Sequence, residues 1–165
     1  MKVTFQGNPL TVLGRQVALG EKAPNFTAIN LDLTDFNYQE SDKIRVISVV
    51  PSLDTPVCSL QTTKFNMALE ELEGVEVTTV SVDLPFAQAR FCEDEGIKNL
   101  TVVSDYKYKD FAKKYGCFIE ELHLLTRAVF VVDNNGIIKY AEYLEEITSE
   151  PNYEKALEVV RNLLI

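Results

Sequence analysis

The sequence predicts an α/β fold in which a mixed central β-sheet is flanked by helices. Ile44–Val50 is a nearly continuous apolar run rich in β-branched residues, which is typical of a strand buried on both faces. Strand-like and helix-like segments then alternate along the chain, and this alternation favours parallel pairing. Further on, two apolar runs flank an Asn-Gly turn and predict an antiparallel hairpin. A chain of 165 residues suits one domain, which we place at residues 1–165.

Residues 1–20 predict a small β-hairpin that extends the main fold at its N-terminal end. Val3–Phe5 and Leu10–Leu13 are short strand-like runs, and the turn signal between them is Gly7-Asn8-Pro9. The buried strand at Ile44–Val50 comes next, and Pro51 ends it.

The middle of the chain predicts a helix, a strand and a second helix. The segment from about Cys58 to Leu72 has apolar residues at helical spacing, namely Leu60, Phe65, Leu69 and Leu72. Val75–Val82 alternates as a strand does. Pro85 suits the first turn of a helix that continues to about Asp94, because its missing N–H would be unpaired there in any residue.

The rest of the chain completes the alternation. The order is the layout of a thioredoxin-like fold with insertions, although the pattern alone also allows other α/β sandwiches. The remaining predicted elements are a strand at Thr101–Ser104, a helix at Lys109–Tyr115 closed by Gly116, a hairpin of Ala128–Val132 and Ile137–Tyr143, and a helix opened by Pro151 whose stripe is Tyr153, Leu157, Val160 and Leu164.

Net charge and hydropathy limit the kinds of molecule that the protein is expected to bind. Acidic residues number 25 against 16 basic ones, which gives a net charge of −9. Such a field repels nucleic-acid phosphates and anionic lipid, so we expect neither nucleic acid nor a membrane surface as a partner. No run of about 18 apolar residues occurs, and the first residues lack the apolar stretch of a secretory signal. We therefore expect a cytoplasmic protein, in which thiols are kept reduced.

The position of Cys58 makes it a candidate nucleophile. A buried strand stops at Pro51, a loop follows, and Cys58 lies in the first turn of the next helix. Unpaired N–H groups and the positive end of the helix dipole stabilise a thiolate there. Thr55, three residues earlier, could direct its hydroxyl to the same sulfur. Position alone leaves an alternative open, in which Thr55 caps the helix and Cys58 is an inert apolar core residue.

The segment Pro51-x-x-x-Thr55-x-x-Cys58 matches the active-site motif of the peroxiredoxins. More closely, the chain resembles the bacterial thiol peroxidases, the atypical two-cysteine members of that family. Several blocks in the family's order carry this resemblance along nearly the whole length. Besides the motif itself, these blocks are Phe5–Pro9, Lys64–Asn66, Asp83–Cys92, Arg127–Val129 and Glu146–Tyr153.

The resemblance implies a role for each matching residue. Cys58 would be the peroxidatic thiolate, which attacks a hydroperoxide and becomes a sulfenic acid. Thr55 would hold the sulfur and the peroxide oxygens, and Pro51 would shield the sulfur. Arg127 would supply positive charge beside the thiolate. Spacing alone does not distinguish Arg127 from a surface arginine at a strand entrance.

The resemblance also identifies Cys92 as the resolving thiol, although the pattern alone is equally that of a helix cysteine packed in the core. Cys92 would attack the sulfenic acid and close an intramolecular disulfide. Cysteines on two helices rarely start within bonding reach, so we expect local unwinding around both. Equal hydrogen-exchange rates in reduced and oxidised protein would contradict this. The family implies thioredoxin as the reductant, alkyl hydroperoxides as substrates, a homodimer and a role in antioxidant defence.

Cys117 and His123 are expected to take no part in this chemistry. Cys117 departs from the family pattern, in which an aliphatic residue is more usual, and we interpret it as a core residue. His123 is the only histidine and the chain has no Cys-x-x-Cys pair, so we expect no metal site. No glycine-rich phosphate loop is present, so we expect no nucleotide cofactor.

Two rival functions differ in what they require. A dithiol-disulfide oxidoreductase on the same fold would use Cys-x-x-Cys, whereas Ser59, Leu60 and Gln61 follow Cys58. A non-catalytic thioredoxin-like binding module would need none of Thr55, Cys58 and Arg127, and its function would survive alanine at Cys58.

Overall fold

A computed structural model describes residues 1–39, 41–70, 72–97 and 101–165. The helices within these residues are α1 (Pro56–Leu69), α2 (Pro85–Asp94), α3 (Asp110–Tyr115) and α4 (Tyr153–Leu163). The strands are β1 (Lys2–Phe5), β2 (Asn8–Leu13), β3 (Phe26–Ile29), β4 (Asp35–Tyr38), β5 (Ile44–Val49), β6 (Val75–Ser81), β7 (Thr101–Ser104), β8 (Phe118–Ile119), β9 (Leu124–Leu125), β10 (Ala128–Val132) and β11 (Ile138–Tyr143).

The main sheet contains seven of these strands, in the order β11-β10-β5-β6-β7-β3-β4. The central strands β5, β6 and β7 are parallel, and β10 and β3 pair antiparallel to the edges of that centre. All six residues of β5 are buried, as expected for a strand covered on both faces. The predicted α/β class with a mixed central sheet is confirmed, and the predicted strands agree with the observed ones to within two residues at each end, the largest difference being the start of β2 at Asn8 instead of Leu10.

Helices cover both faces of this sheet, with α1 and α4 on one face and α3 on the other. Val46 and Val131 face α1 and α4, where they pack with Phe65 and Leu157. The alternate residues of the same strands face α3 and pack around its Phe111. Helix α2 lies against β7, where its Phe91 and Cys92 pack on a small cluster that contains Val102 and Cys58. The loop that follows β5 thus contributes Val50 and Leu53 to a cluster that α1 and α2 share.

The N-terminal hairpin is confirmed, but its turn lies one residue earlier than predicted. Gln6 and Gly7 form the turn, with φ of 50° and 83°, while Asn8 and Pro9 already pair with β1. Two consecutive positive φ values match the right-handed twist of a two-residue hairpin, and glycine at the second position adopts this at no steric cost. The hairpin joins β8 and β9 in a second sheet of order β1-β2-β8-β9.

The sequence patterns missed the β3–β4 hairpin and the β8–β9 pair. Strands β3 and β4 have four residues each, β8 and β9 have two each, and polar residues interrupt β4. Elements this short contain too few alternations to be recognised. They form by pairing, β3 with β4 and β8 with β9, and more distant strands extend this pairing, as Ser104 does with Ile29 and Val12 with Ile119.

The apolar faces predicted for the first and last helices, α1 and α4, differ from the observed ones at their ends. Leu60 is exposed, and the buried face of α1 contains Cys58 and Gln61 in that turn instead. Helix α1 ends at Leu69, so Leu72 lies beyond it, and residue 71 of the predicted helix lies outside the described residues. Leu164 is also exposed, because it follows the last turn of α4. Within the described ranges, no helix combines the length and apolar character needed to cross a membrane.

Candidate active site

Cys58 lies in the first turn of α1, directly behind the end of β5. Pro56 takes the first helical position and Thr55 is the N-cap residue, with extended backbone angles. The Cys58 side chain is completely buried. Because the first N–H groups of a helix have no partner within it, this location favours negative charge on the sulfur. The predicted placement of Cys58 at a helix N-terminus is confirmed.

Arg127 points its guanidinium at the Cys58 sulfur. Its Nη2 donates to Cys58 Sγ at 3.0 Å, and the arginine is only 2% exposed. Its Nη1 donates to Gln61 Oε1 at 2.9 Å and its Nε to the Ile147 carbonyl at 2.8 Å. Three fixed contacts leave the planar guanidinium a single orientation. Arg127 is therefore a buried cation beside the thiol and not the surface residue that its spacing would equally allow.

Gln61 belongs to the site, although the sequence analysis did not identify it. It lies one helical turn after Cys58 and is fully buried. Its Nε2 donates to Ser48 Oγ at 2.8 Å and to the Val49 carbonyl at 3.4 Å, which directs its Oε1 to Arg127. A signal was present, because a glutamine three residues after the cysteine falls on the helix face that also presents Phe65.

Pro51, Thr55 and Arg127 line one pocket of about 220 Å³, as do Pro56 and Val57. The outer wall comes from distant parts of the chain: Phe5 and Gln6 of the N-terminal hairpin, and Ile147 and Thr148 of the loop before α4. The lining is mostly apolar. The structure thus brings three of the predicted site residues together in one pocket, and one of them, Arg127, also contacts the buried sulfur of Cys58.

The Thr55 hydroxyl donates to the Ser52 carbonyl at 3.0 Å. In this arrangement its proton is directed to the loop rather than to the Cys58 sulfur. Its oxygen retains acceptor capacity toward the pocket. Among the described residues the Thr55 side chain also caps no backbone N–H of α1.

Glu146 holds the mouth of this pocket together. Its carboxylate accepts hydrogen bonds from Thr4 Oγ1 and Gly7 N, both at 2.9 Å, and from Thr148 N at 2.8 Å. These bonds, with those from Thr148 first, lower the pKa of Glu146 to about 2. The carboxylate therefore joins the turn of the N-terminal hairpin to the loop that contains Ile147.

Cys92 lies on α2 and is half-buried. With Phe91 it packs against the cluster of Val50, Leu53, Cys58 and Val102. All three cysteines are free thiols. Burial raises the pKa of Cys92 above its usual value, which keeps this thiol protonated in the present arrangement.

Cys117 is buried in the other core cluster, on the face of the sheet covered by α3. Burial strongly raises its pKa, and a buried protonated thiol is inert. This placement agrees with the interpretation of Cys117 as a core residue. The ring of His123 packs against Phe118 in the turn between β8 and β9.

Comparisons with known proteins agree with this geometry. Residues 18–157 match the Redoxin family. The thiol peroxidase of Halalkalibacterium halodurans is 52% identical over 163 residues, which cover 98% of each chain. That of Bacillus subtilis is 44% identical over 164 residues, covering 99% of this chain and 98% of the relative.

Solved structures show the same fold. A peroxiredoxin-like protein from Aquifex aeolicus superposes with a TM-score of 0.93 at 44% identity, over 98% of this chain and 96% of the other. A thiol peroxidase from Chromobacterium violaceum reaches a TM-score of 0.89 at 20% identity, over 98% and 96% of the two chains, and supports the fold alone. The chain therefore belongs to the Redoxin family and is a thiol-dependent peroxidase of the peroxiredoxin type.

Proposed function

We propose that Cys58 is the peroxidatic thiol of this peroxidase, that Cys92 resolves it, and that the whole chain acts as one domain. The observation that carries the proposal is the contact of Arg127 Nη2 with Cys58 Sγ, at 3.0 Å beside an apolar pocket. A fixed buried cation at a thiol favours the thiolate, which is the reactive form.

In the first step the Cys58 thiolate attacks the outer oxygen of a hydroperoxide. The O–O bond breaks, an S–O bond forms, and the sulfur becomes a sulfenic acid while the leaving alkoxide takes up a proton to become an alcohol. Arg127 stabilises the charge that moves from the sulfur to the leaving oxygen. The Thr55 oxygen faces the same pocket and would accept a hydrogen bond from the peroxide. Pro51 closes one side of the pocket.

The lining of the pocket also indicates which hydroperoxides would bind there. Phe5, Val57 and Ile147 present apolar surface where the alkyl group of an organic hydroperoxide would lie. Hydrogen peroxide would enter the same pocket without using these contacts. We therefore propose both as substrates, with organic hydroperoxides preferred.

In the second step the Cys92 sulfur attacks the Cys58 sulfenic acid. An S–S bond forms, the S–O bond breaks, and water leaves with the proton of Cys92. The raised pKa of Cys92 in its half-buried position opposes this attack. Local unwinding of α1 and α2 would expose the thiol, lower its pKa toward the ordinary value and bring the two sulfurs within bonding distance.

In the third step a dithiol partner reduces the disulfide. Two partner thiols become a disulfide, and Cys58 and Cys92 return as thiols. We propose thioredoxin as this partner, a homodimer as the working form and the cytoplasm as the location. The similarity to bacterial thiol peroxidases supports a thioredoxin-type reductant.

A panel of cysteine variants tests the assignment. Turnover of cumene hydroperoxide would be followed with thioredoxin, thioredoxin reductase and NADPH. We expect Cys58→Ser to fall to background and Cys92→Ser to oxidise once without thioredoxin-dependent turnover. Cys117→Ala is the matched control and should stay within about twofold, because its thiol is buried and inert. Turnover by Cys58→Ser, or its loss in Cys117→Ala, would overturn the assignment.

A further inference from the structure

We propose that Asp83 is a positioning residue that controls how readily the two cysteine regions open. Its carboxylate joins the loop before Cys58 to the start of the helix that contains Cys92. The inference rests on the roles proposed for these two cysteines. It adds that Asp83 sets the equilibrium between the closed and open arrangements of the regions that contain them.

The carboxylate makes two hydrogen bonds to the loop before Cys58 and one to the end of β6. Oδ1 accepts from Ser52 Oγ at 2.7 Å, and Oδ2 accepts from Leu53 N and Ser81 Oγ, both at 2.8 Å. The Ser52 carbonyl in turn accepts from the hydroxyl of Thr55 at 3.0 Å. Asp83 therefore holds, through Ser52, the N-cap residue of the helix that positions the peroxidatic sulfur.

The same network reaches into α2. Ser81 Oγ accepts from Gln88 Nε2 at 3.0 Å, and this amide also donates to the Val103 carbonyl at 2.9 Å. Ser81 and Gln88 are both fully buried. Gln88 lies one helical turn before Cys92. Among the described residues no side chain caps α2, whose N-cap residue is Leu84, so its first turn depends on this network.

Disulfide formation by the proposed second step disrupts this arrangement. Cys58 and Cys92 pack in one apolar cluster as free thiols on separate helices, and the proposed unwinding of α1 and α2 would separate the residues that Asp83 joins. Hydrogen bonds to an ionised carboxylate are stronger than neutral ones, so Asp83 favours the closed arrangement. The closed arrangement positions Cys58 for the peroxide. The open one allows Cys92 to reach the sulfenic acid.

The two steps should therefore respond to Asp83 in opposite directions. Weakening the network should slow the oxidation of Cys58, because the pocket loses its fixed loop. It should speed disulfide formation, because the open state becomes more populated. A sulfenic acid that is resolved sooner meets fewer second hydroperoxide molecules, each of which would oxidise it to sulfinic acid and leave as an alcohol.

Asp83→Asn tests this, with Asp94→Asn as the matched control on the exposed side of α2. Reduced protein is mixed with one equivalent of cumene hydroperoxide, and the two steps are resolved by stopped flow and acid quench. For Asp83→Asn we expect Cys58 oxidation about fivefold slower and disulfide formation about fivefold faster, the size of one lost hydrogen bond. Sulfinic acid at excess peroxide should fall, and amide exchange in residues 51–62 and 84–95 should rise.

Ser52→Ala provides a second variant that keeps the charge and removes one of the three bonds. It should shift both rates in the same directions by a smaller factor, and it decides the question if Asp83→Asn fails to fold. Rates equal to those of Asp94→Asn, or both steps slowed in parallel, would overturn the inference. Failure of the parent protein to form a Cys58–Cys92 disulfide would instead overturn the proposed function.

Discussion

Cys58 is completely buried, and burial by itself disfavours a thiolate because it removes water from the charge. Arg127 opposes this cost with a charged donor at 3.0 Å from the sulfur. Gln61 and the Ile147 carbonyl hold the guanidinium in place. In the proposed function, reactivity at this position therefore depends on an arginine whose orientation is fixed by a glutamine one turn from the cysteine.

Arg127→Lys keeps the charge but cannot hold the contacts to Cys58, Gln61 and Ile147 together, because an ammonium lacks the planar fork. We expect the second-order rate constant for hydroperoxide reduction to fall about a hundredfold, as when a fixed donor to a developing charge is lost. Arg161→Lys, at an exposed position on α4, is the control. A rate within twofold of the parent would contradict the role of Arg127.

The residues of the site differ in how far the sequence could predict them. Its place after a buried strand made Cys58 a candidate nucleophile but left an inert core residue as the alternative, and family resemblance selected both its role and Arg127. The burial of Arg127 depends on the register between β10 and β5, which local spacing does not reveal. Gln61 was missed because a glutamine in a helix is usually exposed. The Thr55 hydroxyl bonds to Ser52, a contact set by the loop's path.

The N–H groups in the first turn of the short helix α3 are bound by the carboxylate of Asp105. Asp105 Oδ1 and Oδ2 accept from the N–H groups of Phe111 and Ala112 at 3.0 and 2.9 Å. Burial nevertheless raises the pKa of Asp105 from 3.8 to about 6, and these hydrogen bonds only partly offset it. The carboxylate is thus more easily protonated in the folded protein than in the unfolded chain.

This shift predicts a pH dependence of stability. Between about pH 4 and 6 the folded state binds more protons at Asp105 than the unfolded state does, so the free energy of unfolding falls as the pH rises. Relative to Asp105→Asn, the parent should lose on the order of 2 kcal/mol over this range and change little above it. Urea unfolding of both proteins between pH 4 and 8 measures the difference. Parallel pH profiles would contradict the raised pKa.

The N-terminal hairpin acts as a wall of the substrate pocket, and Glu146 fixes it there. Glu146→Ala should loosen Phe5 from the pocket. We expect kcat/KM for cumene hydroperoxide to fall about fivefold, equivalent to about 1 kcal/mol of lost apolar contact. The value for hydrogen peroxide should change less than about twofold. Glu145→Ala, at the exposed neighbour, is the control. Equal losses for both substrates would show that the hairpin does not contribute to substrate selection.

Elements with a clear hydrophobic pattern, or with Gly or Pro at their ends, were predictable. The hairpin β3–β4 and the pair β8–β9 were not. Strands β7 and β10 were placed at their observed bounds, and Gly116 closes α3 in the left-handed conformation as expected. A Cβ at Gly116 would also lie 2.6 Å from the backbone carbon of Arg15, so no other residue fits there. The hairpin β3–β4 was missed because polar residues interrupt β4 and the two strands are set mainly by pairing with each other, with β3 joined to β7 at Ile29 and Ser104.

At the scale of the whole molecule, the site forms where distant segments meet. Phe5, Cys58, Arg127 and Ile147 come from four parts of the chain and adjoin one pocket or one hydrogen-bond network. The alternation of strands and helices was enough to predict the layered fold, because it requires only local patterns. The convergence of these four residues requires the tertiary arrangement of both sheets.

The pairing of Cys58 with Cys92 can be measured by peptide mass spectrometry of the reduced protein after one equivalent of an alkyl hydroperoxide. We expect a single disulfide between Cys58 and Cys92 within one chain, with Cys117 left as a thiol. A Cys58–Cys117 disulfide, or Cys58 halted as sulfinic acid, would contradict the role given to Cys92. Three unreacted thiols would contradict the assignment of Cys58 as the peroxidatic residue.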